Sequence, residues 1–472
     1  MGEQHKDCIV VLDVGKTLAK LTLWSPQGEL LERRTRPNER KLSQAGYPTL
    51  DVAGIESFLA ATLTDFAKQQ TIGTIVPVAH GASGVVLEAG GYIEPLDYEA
   101  PLPDALWASY LEQRDPFAET GSPSLPGGLN LGAQLHWLEA VLPQRFARGT
   151  LVTYPQFWAW LLSGVAATEV TSLGVHTDLW RPAEGRPSAL AERRGWAKKF
   201  APLRKASEVL GTVSAEWRTR CGLPAHCRVV CGVHDSNADL LAVRAHPKIG
   251  NQEFSVLSTG TWFIAMRSSP EQPDLQSLPE ARDCLVNVNA FGIPVPSSRF
   301  MGGRETELLE DASGEQLDPA AHEADLLRRA AVLAEEGVFA LPAFQQGVGP
   351  FPDHDGRWIG RPGDQLGRRA AAGLYLALMA DTALGLIGSR ERLVIEGRFI
   401  GDAVFAQALA SLRPQQNVYL APSSNSLCQG AISLVAPGQV PESKLVEVQA
   451  LPFAIARYAA QWREYLAAAA GG

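Results

Sequence analysis

The stretch CIVVLDVGKTLAKLTLWSPQGELLERRTRP, residues 8–37, places three apolar segments around two glycine-containing turns. This spacing predicts a strand, a tight turn, a second strand, another turn and a third strand, which together form an antiparallel meander. The stretch EFSVLSTGTWFIAMR, residues 253–267, again predicts a strand, a Gly-Thr turn and a strand. The two halves of the chain are therefore expected to repeat one structural plan.

Helical and strand patterns alternate along the rest of the chain. A helix is predicted at about 54–69 and an apolar strand in IGTIVPVAHG, residues 72–81, followed in the second half by helices at about 319–336, 366–387 and 402–412 and by a C-terminal helix. This alternation predicts the α/β class. Apolar periodicity lapses in RAHPKIGNQ, residues 244–252, so we place a boundary near residue 245 and expect domains 1–245 and 246–472.

Composition excludes several classes of protein. The chain has 472 residues, of which 46% are hydrophobic, and a net charge of −9 from 42 basic and 51 acidic residues. The acidic balance argues against a nucleic-acid or anionic-membrane surface, although a local basic pocket for phosphate stays open. Six cysteines without a CxxC pair indicate reduced structural thiols rather than a zinc site. No apolar run reaches about 18 residues and no signal peptide is evident, so a cytoplasmic protein is expected.

Two turns could bind phosphate. DVGKTLAK, residues 13–20, and STGTW, residues 258–262, each bring a glycine into a bend between strands, where backbone amides and threonine hydroxyls can face outward. Asp13 could hold Mg²⁺ through water, and Lys16 and Lys20 could balance phosphate charge. Each turn taken alone is better explained as an ordinary hairpin, because Asp-x-Gly and Thr-Gly bends are common turn chemistry. A P-loop is disfavoured, because the sequence contains no G-x-x-x-x-G-K-[ST].

Besides these two turns, a polar stretch follows an apolar strand near the middle of the chain. In VVCGVHDSNADLLA, residues 229–242, apolar residues lead into Gly232, and polar residues follow at once. One reading is a helix that begins at Asn237, with Asp235 or Ser236 as its N-cap. The other is a catalytic carboxylate placed at the helix start. Asp239, one turn further on, is expected to be structural.

Taken together and in this order, the motifs resemble the FGGY family of carbohydrate kinases, within the actin and hexokinase-like (ribonuclease H-like) fold. DVGKTLAK is similar to the family's first phosphate motif, STGTW to its second, GVHD at 232–235 to the segment that supplies the catalytic base, and IEGRFIGDAVFAQALA at 395–410 to its adenosine motif. The resemblance implies nucleotide contacts at Asp13, Gly15, Lys16, Thr17, Lys20, Thr259, Gly260, Thr261, Gly397, Asp402 and Gln407.

The resemblance also implies an activity and a division of labour. Two such domains would form an active-site cleft between them, with ATP and Mg²⁺ as cofactors. The first domain would supply the sugar site, the first phosphate motif and the catalytic base, Asp235. The second domain would supply the second phosphate motif and the adenosine site. Mg²⁺ would be held by Asp13, through water, and by Asp235.

The substrate expected from the resemblance is a ketose. HDSNADLLA at 234–242 and SSRFMGGRETELL at 297–309 look like the rhamnulose and fuculose kinase branch, which implies phosphorylation of a 6-deoxy-ketohexose such as L-rhamnulose or L-fuculose at C1. The loops AHGASG, residues 79–84, and HTDLW, residues 176–180, nominate His80, Gly81 and Trp180, with His234 and Asp235, as sugar contacts. A pentulose 5-kinase and a non-catalytic nucleotide-dependent binding protein are the alternatives. A homodimer stays open.

Four positions depart from the family pattern. Lys16 stands where threonine is usual, Glu396 replaces the first glycine of the adenosine pair, Asp402 stands where asparagine is common, and Cys428 stands where glycine is frequent. All four departures bear on the nucleotide contacts. None of them is Asp13, Thr17, Gly260 or Asp235, so the phosphate path is expected to be intact.

Overall fold

The computed structural model describes residues 7–310, 317–422, 425–438 and 444–470. The strands are β1 Cys8–Val14, β2 Leu18–Trp24, β3 Leu30–Pro37, β4 Arg40–Leu42, β5 Pro48–Leu50, β6 Ile72–Ala79, β7 Gly84–Glu88, β8 Gly91–Ile93, β9 Thr150–Thr153, β10 Trp180–Arg181, β11 Arg186–Pro187, β12 Val209–Thr212, β13 Arg228–Val230, β14 Val233–His234, β15 Phe254–Thr259, β16 Phe263–Ser268, β17 Cys284–Val288, β18 Pro294–Phe300, β19 Phe339–Leu341, β20 Arg357–Ile359, β21 Arg392–Gly397, β22 Asn417–Ala421 and β23 Val446–Glu447.

Helices fill most of the remaining chain. They are α1 Val52–Gln69, α2 Asp104–Leu111, α3 Phe117–Thr120, α4 Leu131–Val141, α5 Pro143–Arg148, α6 Tyr154–Ser163, α7 Val170–Leu173, α8 Ala189–Arg193, α9 Ala215–Cys221, α10 Asp235–Ala245, α11 Gly302–Glu310, α12 Glu323–Glu336, α13 Gln365–Leu386, α14 Ala403–Leu412, α15 Ser426–Ser433 and α16 Ala456–Ala470, with short 3₁₀ turns between some of them.

The chain folds into two compact units. One contains the described residues of Met1–Gly250, Val286–Pro294 and Asn425–Glu442, and the other contains those of Asn251–Leu285, Val295–Ser424 and Ser443–Gly472. The boundary expected near residue 245 makes each domain one continuous stretch of chain. In the structure, two segments from later in the chain belong to the first unit. The segment Asn425–Glu442 does so because it packs there: α15 lies against α10 so closely that a Cβ at Gly430 would overlap the carbonyl of Ala238.

The first unit is built on a seven-stranded sheet. Its strand order is β12-β13-β6-β1-β2-β3, with β14 also paired to β6. The first three strands form the predicted antiparallel meander, while β6 runs parallel to β1, β13 and β14. Buried apolar residues of β1, β2, β6, α1 and α6 form the core on one side of this sheet.

The second unit repeats the arrangement. It contains the strands β18-β16-β15-β21-β22-β23 of a sheet that β17 continues beyond β18. Here β15 and β16 form the antiparallel hairpin, and β21 and β22 continue the sheet in parallel from β15. The buried helix α13 packs in the core of this unit. The α/β class and the repeated plan are confirmed.

The predicted helices form within a few residues of their expected bounds, with one larger difference. The helix expected from residue 319 begins at Glu323. The carboxylate of Asp318 accepts a hydrogen bond from the backbone N–H of Ala320 at 3.1 Å, so a local turn precedes the helix. Among the helices of the described chain, none has the length and apolar composition needed to cross a membrane. All six cysteines are buried and unpaired.

A buried carboxyl group in the second unit gives a pH-dependent prediction. Glu305 on α11 accepts hydrogen bonds from the N–H groups of Phe344 and Gln345, at 3.1 and 3.3 Å, and from the hydroxyl of Tyr375 at 2.9 Å. Burial raises the pKa of Glu305 to about 7. Because the folded state holds this proton more tightly than the unfolded state, stability from this group is lost as pH rises from about 4.5 through 7.

We therefore expect Glu305→Gln to gain stability over the wild type as pH rises. Glutamine keeps an oxygen that can accept the same hydrogen bonds, but it carries no charge at high pH. Urea unfolding should show that the unfolding free energy of Glu305→Gln, relative to that of the wild type, rises by about 1–3 kcal/mol between pH 5 and pH 8. An equal difference at both pH values would contradict the raised pKa.

Candidate active site

The sheet of the first unit brings three predicted site residues to one edge. Asp13 lies in β1 opposite Val78 of β6, and Val233 of β14 lies opposite the same residue. His80 follows the end of β6, and Asp235 follows the end of β14. Because these strands are parallel, their carboxyl ends meet, and ligands of open α/β sheets bind at that edge.

The turn before Asp235 depends on Gly232. This residue has φ +87°, and a Cβ there would overlap the backbone carbonyl of Pro77. The sequence reading of a helix beginning at Asn237 with Asp235 or Ser236 as N-cap is wrong. Helix α10 begins at Asp235, and its N-cap residue, His234, makes no side-chain cap hydrogen bond.

The carboxylate of Asp235 is instead held by its immediate neighbours. Its Oδ1 accepts from the N–H of Ser236 at 2.6 Å and lies 3.1 Å from Nε2 of His234. The side chain keeps 30% of its surface exposed, so the carboxylate remains open to a ligand. Burial raises the pKa of Asp235, while the charge of His80 when protonated, the N–H of Ser236 and the ammonium of Lys20 act in the opposite direction.

Two imidazoles border this carboxylate. Burial lowers the pKa of both His80 and His234 to about 4, so both rings are neutral near pH 7. Nδ1 of His80 lies 2.8 Å from the carbonyl of Gly81, which can only accept, so Nδ1 carries the proton and Nε2 is left as an acceptor. A Cβ at Gly81 would lie 2.6 Å from Nε2 of His234, so this position leaves no room for a side chain.

An ion pair lies across the first hairpin. Asp13 and Lys20 are cross-strand neighbours, and Nζ of Lys20 is 2.6 Å from Oδ2 of Asp13. Burial raises the pKa of Asp13; Lys20 opposes this, and the negative charge of Asp235 adds to it. Burial would lower the pKa of Lys20, but Asp13 outweighs it and the net shift is upward.

The tip of this hairpin is fixed by a residue that sequence reasoning missed. Asn38 donates from its side chain to the carbonyl of Gly15 and from its backbone to the carbonyl of Thr17, both at 2.8 Å. Thr17 is exposed at the tip. Lys16 points elsewhere: its ammonium pairs with buried Asp97 and lies 4.7 Å from the ring centroid of Tyr98.

Trp180 lies apart from this group. It is 5% exposed and packs with Leu173 and Val288, beside a cavity of about 750 Å³ that its side chain helps to line. His80 lines a different cavity, together with Lys16 and Thr17. The structure therefore brings together the predicted His80, Gly81, His234 and Asp235, and leaves Trp180 outside.

The second hairpin and the adenosine motif are tied together within the second unit. The hydroxyl of Thr259 donates to the carbonyl of Glu396 at 2.5 Å and accepts from the N–H of Phe399 at 3.0 Å. Gly397, at φ +92°, passes so close to Thr259 that a Cβ would overlap its backbone. Gly260 bonds across the turn to the carbonyl of Trp262 at 3.0 Å, and Thr261 is exposed at the tip.

Asp402, a departure from the family pattern, has a compensating partner. Its carboxylate caps α14 by accepting from the N–H of Phe405 at 3.0 Å and pairs with Arg369 at 2.5 Å. Arg369 also pairs with Glu310 at 3.1 Å, and all three side chains are buried. Asp402 and Glu310 thus share the guanidinium of Arg369 beside a cavity of about 150 Å³.

One predicted nucleotide contact, Gln407, and two departures from the family pattern, Glu396 and Cys428, remain to be placed. Gln407 lies on α14, half-buried, and is not among the described residues that line that cavity. Burial raises the pKa of Glu396 to about 7. Cys428, in the first unit, is buried on α15 with its sulfur 3.5 Å from the hydroxyl of Thr22.

Comparisons with known proteins agree with this architecture. Residues 251–443 match the family described as "Carbohydrate kinase FGGY, C-terminal domain". The crystal structure of a carbohydrate kinase from Novosphingobium aromaticivorans is 45% identical with a TM-score of 0.95, covering 98% of this chain and 99% of that chain. No curated protein sequence matches the chain significantly.

More distant structures share the fold. A xylulose kinase from Rhodospirillum rubrum is 20% identical with a TM-score of 0.76, covering 98% of each chain. Plasmodium falciparum glycerol kinase with ADP is 12% identical with a TM-score of 0.78, covering 98% of this chain and 97% of that chain. The chain belongs to the FGGY family of carbohydrate kinases and has its actin and hexokinase-like fold. It is an ATP-dependent sugar kinase.

Proposed function

We propose that the enzyme transfers the γ-phosphate of ATP to a ketose hydroxyl, with Asp235 as the general base. The observation that carries this proposal is the position of Asp235. Its partly exposed carboxylate stands at the carboxyl edge of the parallel strands, and Nε2 of His234 is 3.1 Å away. Phosphoryl transfer needs chiefly a positioned hydroxyl, a proton acceptor and charge stabilisation.

The two neutral histidines support a sugar site beside this base. Nε2 of His80 can accept a hydrogen bond from a sugar hydroxyl, because the ring's proton is on Nδ1. Nε2 of His234 lies 3.1 Å from Oδ1 of Asp235, so a proton on that nitrogen would help to hold the carboxylate. Gly81 gives His234 its space. Asp235, once the sugar is bound, takes the proton of the attacking hydroxyl.

Phosphate binding is proposed for the two hairpins. In the first unit, the backbone of Gly15, the exposed Thr17 and the ammonium of Lys20 are the candidates. In the second unit, the candidates are Gly260 and the exposed Thr261. The hydroxyl of Thr259 is already shared between Glu396 and Phe399, so its contribution is to hold the hairpin on the adenosine segment, where Gly397 and Asp402 lie.

Asp13 and Asp235 fit a hydrated magnesium ion. Their negative charges act on each other, and Asp235 helps to raise the pKa of Asp13, so a cation near both would be favourable. Mg²⁺ keeps most of its waters and uses one or two carboxylates, so Asp13 and Asp235 would be enough to hold it. When bound, Mg²⁺ neutralises phosphate charge.

The substrate we propose is a 6-deoxy-ketohexose such as L-rhamnulose or L-fuculose, phosphorylated at C1, in the cytoplasm where ATP is available. The support is the His-Asp form of the base segment, residues 234–235, and the stretch SSRFMGGRETELL, residues 297–309. A pentulose phosphorylated at its 5-hydroxyl is the second candidate, because the fold is also that of a xylulose kinase. A protein that binds nucleotide and sugar without catalysis is the third.

A coupled assay of ADP formation with MgATP and a sugar panel tests the proposal. The panel contains L-rhamnulose, L-fuculose, D-ribulose, D-xylulose, fructose and glycerol. We expect the highest kcat/KM with a 6-deoxy-ketohexose. A preference for a pentulose would replace the substrate and keep the mechanism. Nucleotide and sugar binding without ADP formation for any sugar would overturn the catalytic proposal.

A further inference from the structure

Four buried polar side chains lie behind the segment that carries Asp235. They are Thr153, Gln156, Glu169 and Thr171, each at most 1% exposed. They belong to β9 and α6 or to the start of α7 and the residue before it. A buried polar side chain needs hydrogen-bond partners. Gln156 and Thr171 bond to the backbone of residues 231–234, and Thr153 and Glu169 bond to those two side chains.

Gln156 supplies hydrogen bonds to backbone carbonyls that the sheet leaves unpaired. Strand β13 ends at Val230 and β14 begins at Val233, so residues 231–232 lie outside the paired strands. Nε2 of Gln156 donates to the carbonyls of Cys231 and Gly232, at 3.0 and 3.1 Å. The side-chain oxygen of Gln156 accepts from the hydroxyl of Thr153. The amide orientation of Gln156 is therefore fixed from both ends.

Thr171 holds the next residue. Its hydroxyl oxygen accepts the backbone N–H of His234 at 3.0 Å. The same hydroxyl donates its proton to Oε2 of Glu169, which also accepts the backbone N–H of Thr171 at 2.9 Å. The direction in which Thr171 presents its lone pair is thus set by Glu169.

We infer that Gln156 and the Glu169–Thr171 pair are positioning residues that aim Asp235 at the reacting hydroxyl. The inference rests on the proposed role of Asp235 as general base. None of these residues contacts the carboxylate itself; they act on the backbone that leads to it. Without the Thr171 hydroxyl, the buried N–H of His234 loses its acceptor, and the segment must shift to satisfy it. A misplacement of about 1 Å can cost about a hundredfold in rate.

The test compares Thr171→Val with a matched change nearby. Thr168→Val removes an equivalent buried hydroxyl, which donates to the carbonyl of Ala201 at 2.9 Å and does not contact residues 231–235. Both variants should lower the melting temperature, Thr171→Val by more, because its hydroxyl has two buried partners and that of Thr168 has one. Only Thr171→Val should lower kcat, by roughly tenfold to a hundredfold, with KM for ATP within about threefold. Thr171→Ser keeps the hydroxyl and should restore kcat.

A second arm separates this inference from the function on which it rests. If Thr171 acts through Asp235, Thr171→Val should change the residual rate of the Asp235→Asn enzyme by less than about threefold. Equal losses of kcat in Thr171→Val and Thr168→Val, or the same Thr171→Val factor in both backgrounds, would overturn the inference. Wild-type kcat in Asp235→Asn would instead overturn the proposed function.

Discussion

Asp235→Asn is expected to lower kcat by roughly two to four orders of magnitude, the usual contribution of a positioned acid or base. Asparagine has nearly the same size, and its side-chain oxygen can still accept from the N–H of Ser236, so the fold should survive. What it lacks is a group that can accept the proton of the sugar hydroxyl. Steady-state kinetics and a melting curve on the same preparation provide the measurement.

A control for this variant lies on the same helix. Asp239 is one turn further along α10, and its Oδ1 accepts from the hydroxyl of Ser426 at 2.7 Å. Asp239→Asn makes the same chemical change and should keep kcat within about threefold. ADP affinity, measured by calorimetry, should be similar in both variants and the wild type. An Asp235→Asn enzyme with normal turnover would remove the general base from the mechanism.

Lys20→Met is expected to lower kcat by roughly a hundredfold to a thousandfold, the loss typical when one charged donor to the transition state is removed. Lys20 is the cation paired with buried Asp13, at 2.6 Å, and it also acts electrostatically on Asp235. Without the Lys20 ammonium, the negative charges of Asp13 and Asp235 repel the incoming phosphate, while the sugar contacts remain. KM for the sugar should therefore change by less than about threefold.

Two further variants separate a loss of catalysis in Lys20→Met from a loss of stability. Lys68, an exposed lysine that pairs with Asp65 at 3.1 Å, provides the surface control, and Lys68→Met should be fully active. The double variant Asp13→Asn/Lys20→Met removes both charges and should recover any stability lost with the lysine, because no buried carboxylate is left unpaired. Its kcat should stay low. Normal turnover in Lys20→Met would place Lys20 outside the phosphate path.

The sheet architecture could be predicted from the sequence because its signals are local. A glycine turn between two apolar segments is a hairpin whatever surrounds it, and the same pattern at residues 8–24 and 253–267 implied a repeated plan. The register that brings Asp13, His80 and Asp235 to one edge follows from parallel pairing of β6 with β1 and β14. Spacing along the chain does not determine that pairing.

The capping error has a physical cause. An Asp at the start of a helix can be the N-cap or the first helical residue, and the sequence signal is the same for both. In the structure the tight turn at Gly232 brings the helix start forward to Asp235. The Asp235 carboxylate therefore accepts from the N–H of Ser236 and lies beside His234, and it does not cap amides further along the helix.

Partners distant along the chain were beyond the reach of the sequence. Lys16 pairs with Asp97, 81 residues away, and Asp402 pairs with Arg369, 33 residues away. Gln156 did leave a signal, since it is the single polar side chain inside the apolar stretch YPQFWAWLL, residues 154–162. A lone amide among buried residues indicates a hydrogen-bonding task, but the carbonyls it serves could be identified only from the fold.

Proton-coupled ³¹P NMR of the wild-type enzyme with MgATP and a 6-deoxy-ketohexose tests the ketose kinase activity most directly. We expect ADP and a new phosphomonoester to form in a one-to-one ratio, with the ester signal split into a triplet by the two C1 protons. The sugar should be required for ATP consumption. No phosphomonoester with any ketose, or release of inorganic phosphate alone, would contradict the assignment of the enzyme as a ketose kinase.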